Sequence, residues 1–379
     1  MKLTWDQVSA RRLQRHFPGG QDLPAVVRAM SGAHAQILTA AELSIAVRCD
    51  GITRYDVQSA LWTERSLVKT FGPRGTVHLL PTDDLPMWTG ALQALPTRAA
   101  LFATDVRMTA AQTEQVIAAL ADALADDELT VEELTVAVVA RVGKWAGDLV
   151  MPAFQGFWPR WQQAITEAAN AGVLCYAPNK GRKAAYTNPQ RWLPGFKPMP
   201  TDEAVAELVR RYLYGYGPAT SANFARWLSA PETWAAKAFA SSDLVQVYVE
   251  GREAWVCADD AAFSSAEASG GSGLRLLPYF DAYVVGGQPR DLLFPGKASE
   301  RALAGGQAGN YPVVLVDGVV AGVWHQRRSG RRVDLTVELL GSSTARVRRL
   351  VEAEAERIGE ILGATPTVTF DVVSVGPHA

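Results

Sequence analysis

The sequence predicts an α+β protein in which short helices alternate with β-hairpins before the chain ends in a strand-rich segment. Two observations support this fold class. An amphipathic helix followed directly by strand, tight turn and strand occurs three times, and short apolar strands separated by turns fill the C-terminal part. Helical and strand periodicities therefore alternate along one chain, as in mixed α+β folds.

The three helix–hairpin repeats are similar in length and order. The first combines a helix at 56–64 with a hairpin at 67–80, the second 160–171 with 173–186, and the third 234–240 with 244–257. A helix followed by a hairpin is the winged-helix arrangement, a helix-turn-helix variant that lies against duplex DNA. Three tandem winged-helix units therefore predict a long nucleic-acid-binding surface.

Domain boundaries are predicted at the linkers between these repeats. We expect winged helix 1 at 1–105, winged helix 2 at 106–195, winged helix 3 at 196–263 and a β-rich domain with a basic hairpin at 274–379. Three prolines lie within 194–200, and Ser, Gly and Ala dominate 264–273, compositions that are typical of linkers.

Capping residues predict where several helices begin. Helices are expected to start at Thr39, Thr130, Thr201 and Thr220, and the first two have the capping-box form with Glu42 and Glu133. Further helices are expected at 8–16, 24–30, 110–124 and 345–362. In the C-terminal domain, strands are expected at 276–277, 284–285, 313–316, 319–324, 333–339 and 367–375, with Asp317-Gly318 as a two-residue hairpin turn.

Composition excludes several classes of protein. The chain has 379 residues, of which 48% are hydrophobic and 20% charged, as in ordinary globular domains. Its three cysteines, Cys49, Cys175 and Cys257, are far apart and form no CxxC pair, so neither a zinc site nor a disulfide framework is predicted. We expect no metal and no organic cofactor.

No apolar run approaches the roughly 18 residues that a membrane span needs. The N-terminal residues 1–6 do not have the pattern of a signal peptide. The expected location is therefore a reducing cytoplasm.

Charge is distributed unevenly, although the net charge is only −2. Of the 37 cationic residues, 29 are arginine, the side chain that binds phosphate in a bidentate manner. Two basic runs coincide with predicted hairpin tips. The candidate DNA contacts there are Lys180, Arg182 and Lys183 on the second wing and Arg327, Arg328, Arg331 and Arg332 on the last hairpin.

One loop holds the best candidate for chemistry. His34 and Gln36 lie two positions apart in the segment 31–36, just before the helix predicted at Thr39. In extended backbone, residues i and i+2 point to the same side, so the imidazole and the carboxamide are expected to converge. Each offers an acceptor, and glutamine adds donors, which suits the pair to holding a water molecule.

Segments spread over nearly the whole chain resemble the AlkZ/YcaQ-like bacterial DNA glycosylases. The matching segments are His34-Ala-Gln36, Arg74-Gly-Thr-Val-His-Leu-Leu-Pro81, Tyr216-Gly-Pro-Ala-Thr220, Phe224-Ala-Arg-Trp227, Leu276-Leu-Pro-Tyr-Phe-Asp-Ala-Tyr283 and Val313-Val-Leu-Val-Asp-Gly-Val-Val-Ala-Gly-Val-Trp324. The resemblance implies three tandem winged helices, a C-terminal β domain and an open concave DNA-binding surface.

The resemblance also implies roles for the loop. The family's catalytic motif is Gln-x-Gln, and here His34 replaces the first glutamine while Gln36 keeps the second. A His-x-Gln branch is associated with producers of bulky DNA-alkylating antibiotics, in which such enzymes give self-resistance. The implied activity is that of a monofunctional DNA glycosylase acting on double-stranded DNA that contains alkylated guanine, as a monomer.

Other residues allow two interpretations each. Asp281 either supports a sugar cation or caps a turn, and Arg74 and His78 on the first wing either contact DNA or pack the hairpin. Trp158 and Trp161 either stack on a base or belong to the core.

Two further functions stay open at this point. Most winged helices belong to transcriptional regulators without catalysis, and the fold alone does not decide function. A broader glycosylase that unhooks interstrand crosslinks is the other alternative, and that group resembles the Gln-x-Gln pattern more than this sequence does.

Overall fold

Helices and small sheets alternate along the chain in a computed structural model that describes residues 1–96, 102–153, 156–263, 273–341 and 343–377. The α-helices are α1 (Trp5–His16), α2 (Leu23–Ala29), α3 (Leu38–Ala46), α4 (Arg54–Trp62), α5 (Leu85–Gln93), α6 (Ala110–Ala123), α7 (Val131–Val142), α8 (Ile165–Asn170), α9 (Thr201–Tyr216), α10 (Ser221–Leu228), α11 (Glu232–Ala240), α12 (Ala282–Gly286), α13 (Arg290–Leu293), α14 (Lys297–Ala302) and α15 (Ala345–Leu362).

The strands are short, as expected for hairpins and small sheets. They are β1 (Lys2–Leu3), β2 (Ala33–His34), β3 (Leu67–Phe71), β4 (Val77–Pro81), β5 (Leu129–Thr130), β6 (Leu149–Pro152), β7 (Phe157–Pro159), β8 (Cys175–Lys180), β9 (Lys183–Thr187), β10 (Leu244–Val249), β11 (Arg252–Cys257), β12 (Leu274–Leu277), β13 (Val313–Val316), β14 (Val319–Ser329), β15 (Arg332–Leu339) and β16 (Thr365–Phe370). Short 3₁₀ helices lie at Pro73–Gly75, Thr82–Asp84, Lys144–Gly147, Arg160–Ala164, Pro189–Arg191 and Ala258–Asp260.

Two compact units divide the chain. The first consists of Met1–Ala60 and Val209–Ala379, and the second of Leu61–Leu208. The divisions fall inside α4 and α9. The finer division into four segments, made from the sequence, stays a prediction.

Each predicted helix–hairpin repeat has its helix and its antiparallel strand pair. Along the chain, α4 is followed by β3 and β4, α8 by β8 and β9, and α11 by β10 and β11. The mixed α+β fold class is therefore confirmed. The tandem winged-helix arrangement stays a prediction.

The C-terminal strands of the first unit form one five-stranded sheet in the order β12-β13-β14-β15-β16. Its first four strands are an antiparallel meander, and β16 runs parallel to β15 after α15 returns the chain. The predicted Asp317-Gly318 turn joins β13 to β14 with φ of 48° and 83°, the positive values that a type I′ hairpin turn requires. The sheet buries Leu277, Val313 and Val323 in the core of this unit.

The core of the second unit forms around α6, α7 and the segment that leads into α8. Leu120, Leu134, Trp161 and Leu174 are all fully buried there. The Thr130 side chain caps α7, and Glu133 bonds back to the Thr130 amide, so the capping box predicted at this position is confirmed.

Two local predictions were wrong for identifiable reasons. Helix α3 begins at Leu38 with Ile37 as its N-cap residue, so Thr39 lies inside the first turn and cannot cap the helix; Glu42 accepts a hydrogen bond from Gln58 and pairs with Arg54. The segment 284–285, predicted as a strand, lies in α12, where Val284 is fully buried. The Ser/Gly/Ala linker predicted at 264–273 lies outside the described residues except for Gly273.

Candidate active site and DNA-contact surfaces

The loop that contains His34 starts from a well-defined helix end. Helix α2 ends in a Schellman motif, in which Ser31 N donates to Arg28 O at 3.0 Å and Gly32 N to Val27 O at 3.0 Å. Ser31 and Gly32 have φ of 53° and 96°. This turn sets the direction in which the chain enters β2.

The end of α9 packs against the same helix end. The Tyr216 hydroxyl donates to Met30 O at 2.6 Å, and both groups are buried. A Cβ added to Gly215 would lie 2.7 Å from Ala29 O, so only glycine allows this approach. Tyr216, the first residue of the Tyr216-Gly-Pro-Ala-Thr220 segment found in the sequence, therefore supports the base of the loop that contains His34.

His34 is more enclosed than the sequence suggested. Its side chain in β2 leaves the residue only 9% exposed, and its imidazole lies 4.7 Å from the Phe280 ring, centroid to centroid, with a 35° tilt. Gln36, two residues further on, is exposed. Gln36 is therefore accessible to solvent, whereas the Phe280 side chain packs against the imidazole of His34.

Asp281, next to Phe280, is a fully buried carboxylate. It accepts hydrogen bonds from Tyr283 N at 3.0 Å at the start of α12 and from Ser44 Oγ at 2.6 Å. The two terminal nitrogens of Arg48 donate to its two oxygens at 2.8 Å each. Of the two roles left open by the sequence, these contacts favour the structural one, a carboxylate that caps a helix.

The environment of Asp281 keeps it ionised. Burial opposes the charge, but Arg48 and the hydrogen bonds from Arg48, Ser44 and Tyr283 N outweigh burial and lower its pKa from the usual value. The carboxylate is therefore ionised and paired with Arg48 at neutral pH.

A second buried arginine organises the segment from Tyr216. Arg12, 2% exposed, donates from Nε to Gly217 O at 3.1 Å, from Nη1 to Gln288 O at 2.7 Å and from Nη2 to Pro218 O at 3.2 Å. It also bonds to Tyr216 O. A single guanidinium thus donates hydrogen bonds to carbonyls of two segments, 216–218 and the one at Gln288, whose carbonyls have no partner in a helix or sheet of the described chain.

Neither Arg12 nor Arg48 is among the functional residues predicted from the sequence. A signal existed for Arg12, because it follows Trp5 and Val8 at helical spacing on the buried face of α1. A charged residue on an apolar helix face indicates a buried partner. The sequence offered no comparable signal for Arg48.

Histidine 16 belongs to the same buried region. Its ring lies 5.3 Å from that of Tyr216 and 5.2 Å from that of Tyr283, and Nε2 is 3.0 Å from Gly215 O. Burial lowers its pKa to about 3, with a further contribution from the positive charge of Arg48. His16 is therefore a neutral donor to a backbone carbonyl.

The tip of the β14–β15 hairpin is a cluster of exposed arginines. Ser329 pairs with Arg332 in register, and Arg331 precedes the second strand. The four arginines of this cluster are Arg327, Arg328, Arg331 and Arg332. None of them is in an ion pair within the described part of the chain. We call these four residues the arginine hairpin.

The second wing, at the β8–β9 turn, has a different charge balance. Lys180 and Lys183 are exposed but form ion pairs with Glu133 and Glu132 of α7, each at 3.1 Å. Arg182, between them, is exposed as well. Acidic residues on a neighbouring helix thus offset much of the positive charge that the sequence placed on this wing.

The two candidates on the first wing lie in the β3–β4 hairpin, Arg74 in its turn and His78 in strand β4. His78 is 3% exposed, and its Nδ1 is 2.8 Å from Thr76 O. A Cβ added to Gly72 would lie 3.0 Å from the His78 ring. Arg74 is half-buried with φ of 64° in the 3₁₀ turn. The geometry of His78 favours hairpin packing.

The two tryptophans divide between the two roles considered for them. Trp161 is fully buried and donates from Nε1 to Thr135 Oγ1 at 2.9 Å, so it is a core residue. Trp158 in β7 is 50% exposed and stays available for contact with a ligand.

No group of three or more His, Cys, Asp or Glu side chains with the spacing of a metal site occurs among the residues that the structure describes. None of the described helices is long and apolar enough to cross a membrane.

Comparison with known proteins identifies the family. The family model described as "DNA glycosylase AlkZ-like" matches residues 27–361. A curated relative from Streptomyces sahachiroi, named an interstrand DNA cross-link repair glycosylase, is 34% identical over 346 residues, which are 86% of this chain and 88% of the relative. The solved structure of the Streptomyces sahachiroi DNA glycosylase AlkZ has a TM-score of 0.80 and 28% identity and covers 98% of this chain and 100% of its own.

The match extends from the C-terminal part of α2, before His34, to the end of α15, so it includes the loop, the buried ion pair and the arginine hairpin. Relatives that share the fold over this length carry the name of an enzyme that acts on DNA. The chain therefore belongs to the AlkZ-like DNA glycosylases, a family of DNA-binding repair enzymes.

Proposed function

We propose that this DNA glycosylase hydrolyses the N-glycosidic bond of N7-alkylated guanine in duplex DNA, including guanine that carries a bulky natural-product adduct. Alkylation at N7 gives the base a positive charge, which weakens the C1′–N9 bond and removes the need for a general acid. The site has only to stabilise an oxocarbenium-like sugar and to direct a water molecule at C1′. Such an enzyme is monofunctional and protects a producer of alkylating compounds.

The observation that carries this proposal is the placement of His34. The Schellman motif at the end of α2 and the Phe280 ring hold the imidazole in one place, and the residue as a whole is 9% exposed. A neutral imidazole in such a position is able to accept a hydrogen bond from water or to take its proton. We assign His34 the role of holding and activating the attacking water.

Gln36 is the second residue of the proposed site. Its side chain is exposed just before α3, and Ile37, the N-cap residue of that helix, offers no side-chain acceptor. The first amides of an uncapped helix attract a phosphate group. We assign Gln36 the role of orienting the same water while the start of α3 faces the DNA backbone.

The arginine hairpin is the proposed backbone-binding element. Its four arginines are exposed and form no ion pair within the described chain, although Asp334 lies opposite Arg327 in register, so they remain available for phosphates. Lys180, Arg182, Lys183 and Arg74 are proposed as weaker contacts. Helix–hairpin repeats in tandem give one chain a long footprint, and we therefore propose that it acts as a monomer on double-stranded DNA.

A second candidate substrate is an interstrand cross-link. It is favoured by the relative from Streptomyces sahachiroi, which is named a cross-link repair glycosylase and is 34% identical over 86% of this chain. Both substrates contain guanine alkylated at N7 when the cross-link joins two guanines, so one mechanism serves both. Membership of an enzyme family sets aside the alternative of a regulator without catalysis.

Base release from defined duplexes tests the proposal. One set contains a single N7-methylguanine, a second a bulky N7-guanine adduct, and a third an N7–N7 cross-link. His34→Ala and Gln36→Ala are each expected to lower the single-turnover rate, with nearly native DNA affinity, since these side chains act at the transition state. One acid–base group typically contributes about 100- to 10,000-fold. The lower end is expected here because the leaving base is already cationic.

Thr39→Ala is the matched control in the same loop region. Thr39 is exposed and does not cap α3, and the proposed phosphate contact at this helix start uses backbone amides, so removal of the Thr39 hydroxyl is expected to leave the rate unchanged. Native rates of N7-alkylguanine release by both His34→Ala and Gln36→Ala would show that the catalytic assignment is wrong. Release from the cross-linked duplex alone would replace the first substrate by the second.

A further inference from the structure

The Phe280 side chain is in direct contact with the proposed catalytic histidine. The two rings lie 4.7 Å apart with a 35° tilt, and Phe280 is half-buried. Rings at this separation and tilt attract each other beyond the burial of their surface. The contact restricts the rotation of the imidazole about its side-chain bonds.

The backbone at Phe280 has an unusual conformation that fixes where its ring lies. Its φ is 55°, in the left-handed region, which residues other than glycine, asparagine and aspartate rarely adopt. Its amide donates to Gly309 O at 2.9 Å, and a Cβ at Gly309 would lie 3.1 Å from the Phe280 Cα. Unfavourable backbone conformations persist where the surroundings determine them, and they cluster at functional sites.

The buried ion pair supplies that determination. Asp281 follows Phe280 directly, caps α12 through Tyr283 N and is bound by Arg48, which lies just after α3. Because neither charged side chain is exposed, a shift of Asp281 would leave a buried charge unpaired. The position of Phe280 is thereby linked to the helix that follows the His34 loop.

We propose that Phe280 is a positioning residue for His34, held in place by the Arg48–Asp281 pair. It sets the plane of the imidazole so that one ring nitrogen points to the water that attacks C1′. This inference rests on the proposed function of His34. Phe280 itself acts on the rate through the histidine and not through the DNA.

A double-mutant cycle between His34 and Phe280 tests this role. The full chain is used with a duplex that contains one N7-methylguanine, and the single-turnover rate is measured at saturating enzyme. Phe280→Leu is expected to lower the rate about 10- to 100-fold, because a displacement of about 1 Å in a reacting group can cost about 100-fold. The double variant His34→Ala/Phe280→Leu is expected to be no slower than His34→Ala, since the group that Phe280 orients is then absent.

Two further variants separate the ring from the backbone. Phe280→Tyr keeps the ring and is expected to retain a nearly native rate. Glycine adopts the positive φ of residue 280 without strain, but Phe280→Gly removes the ring. This variant is therefore expected to be as slow as Phe280→Leu even if it is as heat-stable as the native protein. Phe294→Leu, which removes a buried ring elsewhere in the same unit, is the packing control and is expected to keep the native rate.

The outcomes are distinguishable. Independent losses in the cycle, or a native rate for Phe280→Gly, would overturn the positioning role while leaving the proposed function of His34 intact. A native rate for His34→Ala would overturn the proposed function and the positioning role together. A slow Phe294→Leu variant would show that general loss of packing explains the effect, which also overturns the proposal.

Discussion

Arg48 and Asp281 form an ion pair at 2.8 Å in which neither side chain is exposed to solvent. The pair joins the turn after α3 to the start of α12, which the chain separates by most of its length. Removing two charges from water is unfavourable, and a buried pair often adds no net stability. The role of this pair is to position the neighbouring residues: Arg48 fixes the carboxylate of Asp281, which follows Phe280, and thereby the ring that contacts His34.

We predict that Asp281→Asn destabilises the protein strongly. The asparagine is able to cap α12, but it leaves the Arg48 charge without its counter-charge, and breaking a buried pair in this way costs about 3–5 kcal/mol. Urea unfolding followed by circular dichroism measures the loss. Asp291→Asn breaks the exposed pair with Arg252 and is expected to change the midpoint little. Equal midpoints for the two variants would contradict this account of the pair.

The buried His16 predicts a loss of stability in mild acid. Its pKa is lowered from 6.5 to about 3 by burial, so below pH 6.5 the unfolded chain binds a proton that the folded chain does not. This histidine therefore reduces the free energy of unfolding by about 1.4 kcal/mol per pH unit as the pH falls from 6.5 towards 3. Asp281 adds to the loss at the acid end of this range, because its pKa is lowered in the folded protein and its stabilising contribution begins to fade as the pH falls past the ordinary carboxylate value of 3.8.

Comparison of the native protein with His16→Gln measures that effect. Glutamine keeps a donor for Gly215 O but does not titrate, so the free energy of unfolding should vary less steeply between pH 6 and pH 4. Urea unfolding at several pH values gives both slopes. Parallel slopes would show that His16 is not the group responsible.

The comparison of sequence and structure shows which kinds of information a single chain holds. Local patterns were reliable: the helix expected at 345–362 has those bounds, and the Asp317-Gly318 turn and the Thr130 cap are present. The tertiary partners were not predictable. Glu42 forms no capping box with Thr39, and its partners are Gln58 and Arg54, which the sequence pattern does not indicate.

In the candidate site too, the residues could be predicted from local sequence patterns, but their tertiary contacts could not. The His34–Gln36 spacing was visible in the sequence, but the cover over His34 comes from Phe280, far away in the chain. The charge on the second wing was visible as well, whereas its neutralisation by Glu132 and Glu133 depends on how α7 packs against the hairpin. Pattern analysis finds the residues, and only the fold shows which of them remain available.

The arginine hairpin predicts the salt dependence of DNA binding. Replacement of its four arginines by glutamine should weaken the affinity for any sequence, because phosphate contacts do not read bases. Each lost phosphate contact lowers the slope of log affinity against log salt by about 0.9. Fluorescence anisotropy with an undamaged duplex at several salt concentrations measures the slope. An unchanged slope would mean that the hairpin does not contact the backbone.

The second wing provides a matched comparison. Lys180 and Lys183 are already paired with glutamates, so Lys180→Gln/Lys183→Gln should change the slope less per removed charge than the hairpin variant does. A larger effect from the two lysines would show that the ion pairs open on binding and that this wing is the stronger contact.

Activity should not require a metal ion. The described residues contain no metal-binding cluster. Hydrolysis of the N-glycosidic bond to a cationic base needs no Lewis acid, because the base already leaves readily. We therefore expect the same rate of N7-methylguanine release before and after dialysis against excess chelator. A loss of activity that one divalent ion restores would contradict the proposed mechanism.

His34→Gln distinguishes the two ways in which His34 can handle the water. Glutamine gives the Gln-x-Gln pattern that the sequence resemblance implies for the wider family, and its amide is able to hold a water molecule but not to take its proton. If His34 mainly positions the water, the variant should release N7-methylguanine at a rate within about 10-fold of the native one, well above His34→Ala. Its rate should also lose any dependence on pH that the imidazole causes, since glutamine does not titrate. Single-turnover rates of the native protein and both variants from pH 5 to pH 8 test this. A His34→Gln rate as low as that of His34→Ala would show that the imidazole is needed as a base.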